Sequence, residues 1–483
     1  MNRSVIQYIL GYVLIIEGIL FSIPCITALV YLEKEGFCYL GVGLFCIFVG
    51  WLMRRQKPSN NIFYLKEGCI TTALSWIFLS FFGCIPFVLT GEIPFLPDAL
   101  FETVSGFTTT GASVLADVEA LSHCSLMWRS FTNWIGGMGV LVFLLAIIPM
   151  SGGSHINLMR AESPGPSVGK MVPKVKANAQ ILYLIYLIMT IVEFVLLLFG
   201  GMSIFDSINT SMSTAGTGGF GIYNDNLTGF NPYIQWVVTI FMILFGVNFN
   251  AYYFILFRQV KRALKMEELK YYFLIIGASI FVIFLNILDM CSNAFEALTQ
   301  SAFQVGSIMT STGFSTANFD LWPETSKTIL VILMFIGACA GSTGGGIKVS
   351  RIVIMFKTVI KELRCYIHPK SIQKINMDEK PVPHEVLRSI NVYFITFFVL
   401  FVCSVFLVSL DGNDLVTNFT AVTATINNTG PGLNLVGPTQ NFGFFSPFSK
   451  FVLMFDMLAG RLELFPLLIL FHPSIWRDKK SEK

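Results

Sequence analysis

Four short Thr/Gly-rich segments, each lying between long apolar segments, constrain the fold more than any other feature of this chain. They are Thr108–Ala112, Ala215–Phe220, Thr310–Phe314 and Asn427–Gly432. Each contains a Thr-Gly step, and the glycines of these steps lie 107, 95 and 117 residues apart. A repeat of this kind in an apolar chain predicts one polypeptide folded around a pseudo-fourfold axis.

The composition predicts a polytopic all-α membrane protein. Hydrophobic residues make up 54% of the chain and charged residues 13%. Most of the long apolar runs approach the roughly 20 residues that a helix needs to span a bilayer. We therefore expect the chain to cross the lipid bilayer ten times, with the eighth crossing broken internally. No nucleic-acid partner is expected. The runs are Val5–Leu32, Phe37–Met53, Cys69–Thr90, Ser130–Met150, Ile181–Gly201, Tyr233–Phe257, Tyr271–Asp289, Thr328–Ala340, Val392–Leu410 and Phe451–Phe471.

The distribution of basic residues predicts the orientation in the membrane. With the N-terminus inside, 27 of the 32 Lys and Arg residues fall on the inner side. Such an excess is typical of cytoplasmic loops, so both termini are predicted to be cytoplasmic. The exceptions are Arg461, assigned to the membrane interior, and four residues assigned to outer loops, which are Lys34, Arg129, Lys327 and Lys450.

A short segment precedes each Thr/Gly turn. These segments are Pro97–Phe107, Ile204–Ser213, Ala294–Met309 and Asp414–Ile426, and they open with the acids Asp98, Asp206, Glu296 and Asp414. Acids are favourable at helix N-termini. The segments are too short to span a bilayer, so we interpret them as re-entrant pore helices. The partial negative charge at their C-terminal ends favours a cation near the middle of the membrane.

The turns themselves are candidate cation-binding segments. Irregular backbone is tolerated at membrane depth only where it lines water or binds a ligand. Glycine permits left-handed conformations, and a ring of backbone carbonyls can replace the hydration shell of a potassium ion. In the second turn, aligning Thr-Gly steps selects Gly218 and aligning Gly-Phe steps selects Gly219, and the first alignment is favoured. The candidate filter residues are Thr110, Gly111, Thr217, Gly218, Gly219, Thr312, Gly313, Thr429 and Gly430.

A glycine-rich run, Ala340–Gly346, interrupts the second helix of the third repeat and is a candidate gate. Its backbone freedom and unpaired amides must break the helix, and a passive kink is the alternative. Arg461 is the second gate candidate, because intramembrane charge is costly and usually functional. It could pair with carbonyls of the loop, oppose cations, or only balance Asp456 or Glu463. The loop residues concerned are Gly341, Ser342, Thr343, Gly344, Gly345 and Gly346.

Other polar residues in the apolar runs have weaker assignments. Asn248 and Asn250 are candidates for polar cavity lining, whereas Glu17 and Glu193 have no assigned role.

The repeated helix–pore helix–helix unit with one central glycine resembles the Trk/Ktr/HKT superfamily of potassium transporters. Further matching segments are Trp134–Gly139, Arg160–Pro166, Ala340–Lys348 and Gly460–Glu463. Two extra helices in residues 1–66 resemble the TrkH/TrkG branch. The resemblance implies a bacterial cell-membrane protein that is a homodimer with one pore per protomer. It also implies a cytosolic TrkA-like regulator that binds nucleotide. By the same resemblance, each filter strand keeps one glycine where true potassium channels keep Gly-Tyr-Gly, which implies weak discrimination against sodium.

The chain is accordingly predicted to divide into two N-terminal helices (1–66) and four pore repeats (67–179, 180–269, 270–386 and 387–483). The leading hypothesis is the potassium-translocating subunit of a Trk-type uptake system, with potassium as transported ligand and no bound cofactor. The alternative is a proton- or sodium-coupled secondary transporter that works by alternating access. No nucleophile, base and orienting group converge in the sequence, so an enzyme is not expected.

Overall fold

The structure, a computed structural model, describes residues 2–56, 64–139, 175–370 and 373–476. The predicted motif Arg160–Pro166, the end of the fourth apolar run and the basic residues beyond 476 lie outside the described residues.

The first two spans form an antiparallel hairpin. One is Arg3–Tyr31, bent at Phe21 into the helices Arg3–Leu20 and Ser22–Tyr31, and the other is Gly36–Arg54. Small residues let the two backbones approach closely, as is common in membrane helices. A Cβ added to Gly11 would lie 2.8 Å from the carbonyl oxygen of Gly50. The hairpin is therefore held by backbone-to-backbone packing.

Four repeats of a leading helix, a short helix and a trailing helix follow. The leading helices are Leu65–Gly83 with Ile85–Thr90, Val175–Phe199, Glu267–Ile287 and His384–Val408. The short helices are Leu96–Phe107, Ile204–Gly216, Ala294–Met309 and Leu415–Ile426. The trailing helices are His123–Gly137, Pro232–Phe245, Glu324–Ile336 and Pro447–Arg461. The four predicted pore helices are thus confirmed as short helices, and we call them pore helices below.

Shorter elements complete the described chain. After the trailing helices come Phe249–Leu256, Val260–Leu264, Val349–Ile367, Phe465–Leu468 and Pro473–Trp476. Single 3₁₀ turns occupy Leu288–Met290, Phe319–Leu321, Ser409–Asp411, Asn434–Val436 and Ile469–Phe471. The strands Asn376–Met377 and Lys380–Pro381 pair antiparallel in a small hairpin, which receives a hydrogen bond from Lys357 Nζ to the carbonyl oxygen of Asn376 (2.8 Å).

The trailing helices are all too short to span a bilayer unaided. They contain 15, 14, 13 and 15 residues, or about 20 Å of helix each against a hydrocarbon core of about 30 Å. By length and composition, the described residues contain six spanning helices, or seven if the second trailing helix is joined to Phe249–Leu256 across a 90° bend. The sequence predicts a break in the eighth run, which contains the third trailing helix. The structure shows that the second and fourth trailing helices are also interrupted, after Phe245 and Arg461.

The pore helices begin as their acids predict. Asp98, Asp206 and Glu296 lie in first turns, and Asp414 is an N-cap whose carboxylate accepts a hydrogen bond from the amide of Thr417 (3.0 Å).

Two basic residues assigned to outer loops are instead buried on trailing helices. Arg129 is 3% exposed and lies 2.8 Å from Glu102, and Lys450 is also 3% exposed and lies 2.6 Å from Asp98. A count of charges in loops could not detect this, because both carboxylate partners come from the first pore helix.

Candidate ion pore

Each pore helix ends in the same backbone motif. A residue in left-handed conformation follows the helix, with φ of 55°, 53°, 59° and 53° at Thr109, Thr217, Ser311 and Asn428. The next amide donates to a carbonyl oxygen five residues earlier, which is characteristic of a Schellman C-cap. These bonds are Thr110 to Ser105 (2.9 Å), Gly218 to Ser213 (2.9 Å), Thr312 to Ser307 (2.8 Å) and Thr429 to Ala424 (2.8 Å).

In all four turns, the residue after this amide donor is a glycine in left-handed conformation. The φ angles are 79°, 64°, 88° and 94° at Gly111, Gly219, Gly313 and Gly430. The residue of the second turn that is equivalent to Gly111 is therefore Gly219, and the preference for Gly218 from the Thr-Gly alignment is one residue out of register. Thr217 ends its helix as Thr109 does, so Gly218 occupies the position that Thr fills in the other three turns.

The four turns close into a ring. Each turn glycine packs against the carbonyl oxygen of the residue that precedes the glycine of the next repeat. An added Cβ would approach that oxygen to 2.8 Å or less in every case, which is closer than real Cβ atoms come. The pairs are Gly111 with Gly218, Gly219 with Thr312, Gly313 with Thr429, and Gly430 with Thr110. The last pair joins the fourth repeat to the first, so four backbone carbonyls surround one axis.

Buried hydroxyl and amide groups brace this ring. The hydroxyls of Thr108 and Thr110 are 2.8 Å apart, and those of Thr310 and Thr312 are 2.7 Å apart. Asn428 donates through Nδ2 to the hydroxyl of Thr110 and to the carbonyl oxygen of Met457, at 2.9 Å each. These hydrogen bonds tie the first turn to the fourth turn and to the last trailing helix.

The glycine loop, residues 337–348, packs directly against two of the turns. The amide of Gly346 donates to the carbonyl oxygen of Asn427 (3.0 Å), and the amide of Gly345 donates to the hydroxyl of Ser311. A Cβ added to Gly344 would lie 2.6 Å from the carbonyl oxygen of Thr310. The loop therefore lies against the turns of the third and fourth repeats, at the C-terminal ends of their pore helices.

Several loop amides are paired, contrary to the expectation that the run has unpaired amides. Cys339 donates to the carbonyl oxygen of Gly246 (3.0 Å), and Ala340 donates to Glu268 Oε1 (2.6 Å). The same carboxylate oxygen accepts from the amide of Ser350 beyond the other end of the loop (3.1 Å). Glu268 is 5% exposed and also receives Nδ2 of Asn248 (3.3 Å). One buried carboxylate thus clamps both ends of the loop.

Arg461 connects the loop to the first repeat. Its Nη1 donates to the carbonyl oxygen of Thr343 (2.8 Å), and its Nη2 donates to the carbonyl oxygens of Gly137 (2.7 Å) and Gly136. The predicted contact with loop carbonyls is therefore present.

The acids considered as alternative partners of Arg461 have other contacts. Asp456 accepts a hydrogen bond from Ser404 (2.7 Å), and Glu463 pairs with Arg351.

Sequence reasoning missed further charged groups at the loop. Lys348, 3% exposed, ends the loop and donates to the carbonyl oxygen of Gly344. Its place two residues after the glycine run is the available signal, although the charge distribution assigns it to the inner side. Glu268 opens a long apolar helix, and no local pattern distinguishes it from an ordinary first-turn acid. Glu17 and Glu193 are also buried, at 1% and 0% exposure. Neither takes part in the contacts of the ring or of the glycine loop described above.

Membrane-spanning helices around a ring of backbone carbonyls are the architecture of a helical membrane transport protein. The family model described as "TrkH: Cation transport protein" matches residues 39–479. The chain belongs to this family.

The relatives match over nearly the whole chain. "Trk system potassium uptake protein TrkH" of Salmonella typhimurium is 35% identical, over 99% of this chain and 100% of the relative. "Trk system potassium uptake protein TrkG" of Escherichia coli is 31% identical with the same coverage. The crystal structure of the potassium transporter TrkH from Vibrio parahaemolyticus matches with a TM-score of 0.89 and 30% identity, over 99% of this chain and 100% of that one.

Proposed function

We propose that the chain is the potassium-translocating membrane subunit of a Trk-type uptake system. The observation that carries the proposal is the ring in which each turn glycine abuts a carbonyl oxygen of the next repeat. Such a ring can replace the hydration shell of a monovalent cation. The choice of potassium is supported by the names of relatives that match the whole chain.

The filter of this proposal is the four turns. Potassium would lose water at the carbonyl groups around Gly111, Gly219, Gly313 and Gly430, with the residue before each glycine supplying the contacting oxygen. One glycine in left-handed conformation in each turn gives fewer enforced carbonyl sites than a filter with repeated glycines. Sodium is therefore expected to compete, although less effectively than potassium.

The gate of this proposal is the glycine loop together with Arg461. The loop lies against two turns, and Arg461 holds the carbonyl oxygen of Thr343 while it is anchored on Gly136 and Gly137. A guanidinium cannot lose its charge at physiological pH, so it opposes cations on the path while the loop is closed. Opening requires the loop to leave the turns and Arg461.

The proposed assembly is the one implied by the resemblance to the Trk/Ktr/HKT superfamily. The chain would form a homodimer in the bacterial inner membrane, with both termini cytoplasmic and a cytosolic TrkA-like nucleotide-binding regulator. The proposed division is two N-terminal helices (1–66) and four repeats that begin at residues 67, 180, 270 and 387, two to five residues after the leading helices start. The positive-inside charge distribution supports the orientation.

Growth of an uptake-deficient bacterium on low potassium tests the proposal. The wild-type chain should restore growth, and Gly313→Ser should allow more inhibition by sodium, because its side chain meets the carbonyl oxygen of Thr429 (2.5 Å from an added Cβ). Gly277→Ser is the matched control, since a Cβ there meets nothing within 4 Å. A wild-type chain that fails to rescue growth would refute the proposal.

Single-channel recording separates the proposal from alternating access. Unitary openings under a potassium gradient are expected for a continuous pore. Slow turnover without unitary openings, dependent on a proton or sodium gradient, would favour the secondary transporter instead.

A further inference from the structure

A buried ion pair lies behind the first turn. Glu102 on the first pore helix is 1% exposed, and Arg129 on the following trailing helix is 3% exposed. Nε and Nη2 of Arg129 both lie 2.8 Å from Oε1 of Glu102. Removing one partner of such a pair leaves a charge buried without compensation.

The carboxylate of this pair holds the strand that leaves the first turn. The hydroxyl of Ser113 donates to both oxygens of Glu102 (3.0 Å each), and the amide of Val114 donates to Oε2 (3.0 Å). Ser113 and Val114 lie two and three residues after Gly111. The position of Gly111 in the ring is therefore coupled to the charge of Glu102.

The same pair reaches the strand that leaves the second turn. Nη1 of Arg129 donates to the carbonyl oxygen of Gly221 (3.0 Å), two residues after Gly219. Its guanidinium carbon lies 4.2 Å from the centre of the Phe220 ring. One ion pair thus fixes the strands next to two glycines of the ring.

The contact network also extends to the fourth repeat, because the carbonyl oxygen of Ser113 accepts the amide of Phe442 (2.8 Å).

The other repeats carry no charge at the position equivalent to Glu102. Nine residues before the turn glycine stand Glu102, Thr210, Gln304 and Ala421. Gln304 is fully buried, and neither its amide oxygen nor its amide nitrogen has a hydrogen-bond partner within the described part of the chain. The charged clamp is therefore particular to the first repeat, and the third repeat has a neutral side chain in its place.

We propose that the Glu102–Arg129 pair is a positioning element that sets the cation selectivity of the ring. It acts by holding the strands after Gly111 and Gly219 in one arrangement. The proposal rests on the proposed function, in which the ring dehydrates the ion. Without the pair, the first two turns adapt to a smaller cation, so sodium gains relative to potassium.

Reversal potentials of the purified full chain in lipid bilayers, with potassium on one side and sodium on the other, test this inference. Glu102→Gln keeps the shape and removes the charge, and it should lower the potassium-to-sodium permeability ratio about tenfold, as expected for losing hydrogen bonds to a charged group. Gln304→Leu, at the equivalent position of the third repeat, is the matched control and should leave the ratio unchanged.

Ser113→Ala removes one donor and keeps both charges, so it remains informative if Glu102→Gln does not fold. It should lower the ratio by about threefold, since one hydrogen bond is lost. An unchanged ratio in both variants, or equal loss of potassium and sodium current, would reduce the pair to a structural role and overturn the inference. A wild-type chain that carries no potassium would refute the proposed function instead.

Discussion

Replacing Arg461 should open the proposed gate in the absence of any regulator. Within the described residues, Arg461 donates to the glycine loop from Nη1 to the carbonyl oxygen of Thr343 (2.8 Å). Its bonds to Gly136 and Gly137 anchor it to the first repeat. Of these three bonds, the one to Thr343 breaks when the loop moves alone. A hydrogen bond to a charged group contributes about 1.5–3 kcal/mol, so Arg461→Gln should shift the closed-to-open equilibrium by about 10- to 150-fold.

The assay is potassium flux into lipid vesicles that contain the purified chain without its regulator. If the wild-type loop is open about 1% of the time, a tenfold shift raises the open fraction to about 9% and the initial flux in proportion. Lys265→Gln is the control. Lys265 is exposed and pairs with Glu379, not with the loop, so its replacement removes a cation and should leave the flux near the wild-type level.

Deleting Gly341–Gly345 should raise the flux as well, because it removes the barrier that Arg461 holds. If the loop and Arg461 act as one unit, the combined variant should exceed the larger single effect by little. Wild-type flux in both single variants would place the barrier elsewhere and leave Arg461 as a structural link between repeats.

The ring geometry predicts that Gly219→Ala lowers the ratio of potassium to sodium uptake more than Gly218→Ala does. A Cβ at Gly219 meets backbone, whereas one at Gly218 meets the side chain of Asn133, so equal effects would contradict the assignment of Gly219 to the ring. Glu268→Gln should raise regulator-free flux by about tenfold, because a neutral amide clamps the two loop ends less strongly, and unchanged flux in the vesicle assay would argue against a clamp. Cysteine introduced at Asp225 should react with an impermeant thiol reagent from outside and at Lys374 only from inside. The reverse labelling would invert the orientation.

Local patterns in the sequence predicted the class of protein and most of its elements. Apolar runs identified the leading helices, and the acids Asp98, Asp206, Glu296 and Asp414 marked the starts of the pore helices. These predictions succeed because lipid and the helix backbone act on every segment separately, through apolar length and terminal charge. The glycine loop was predictable for the same reason, since Ala340–Gly346 cannot continue a helix.

The register of the second turn required the backbone. The sequence offers Gly218 and Gly219, and matching Thr-Gly steps favours the first. The hydrogen bond from Gly218 to Ser213 and the left-handed conformation of Thr217 assign the ring position to Gly219. A one-residue difference in where a helix ends changes which carbonyl faces the next repeat, and that depends on how four turns pack together.

The partners of the buried charges were decided by the tertiary structure alone. Arg461 reaches carbonyl oxygens 118 and 324 residues away along the chain, and Glu268 reaches amides 72 and 82 residues away. A buried charge must be paired, but its sequence neighbours do not specify the partner. The repeat pattern therefore determined that a ring of four turns would form. Only the packing of distant helices determined which buried groups hold that ring and its loop in place, because each of those contacts exists only after the segments meet.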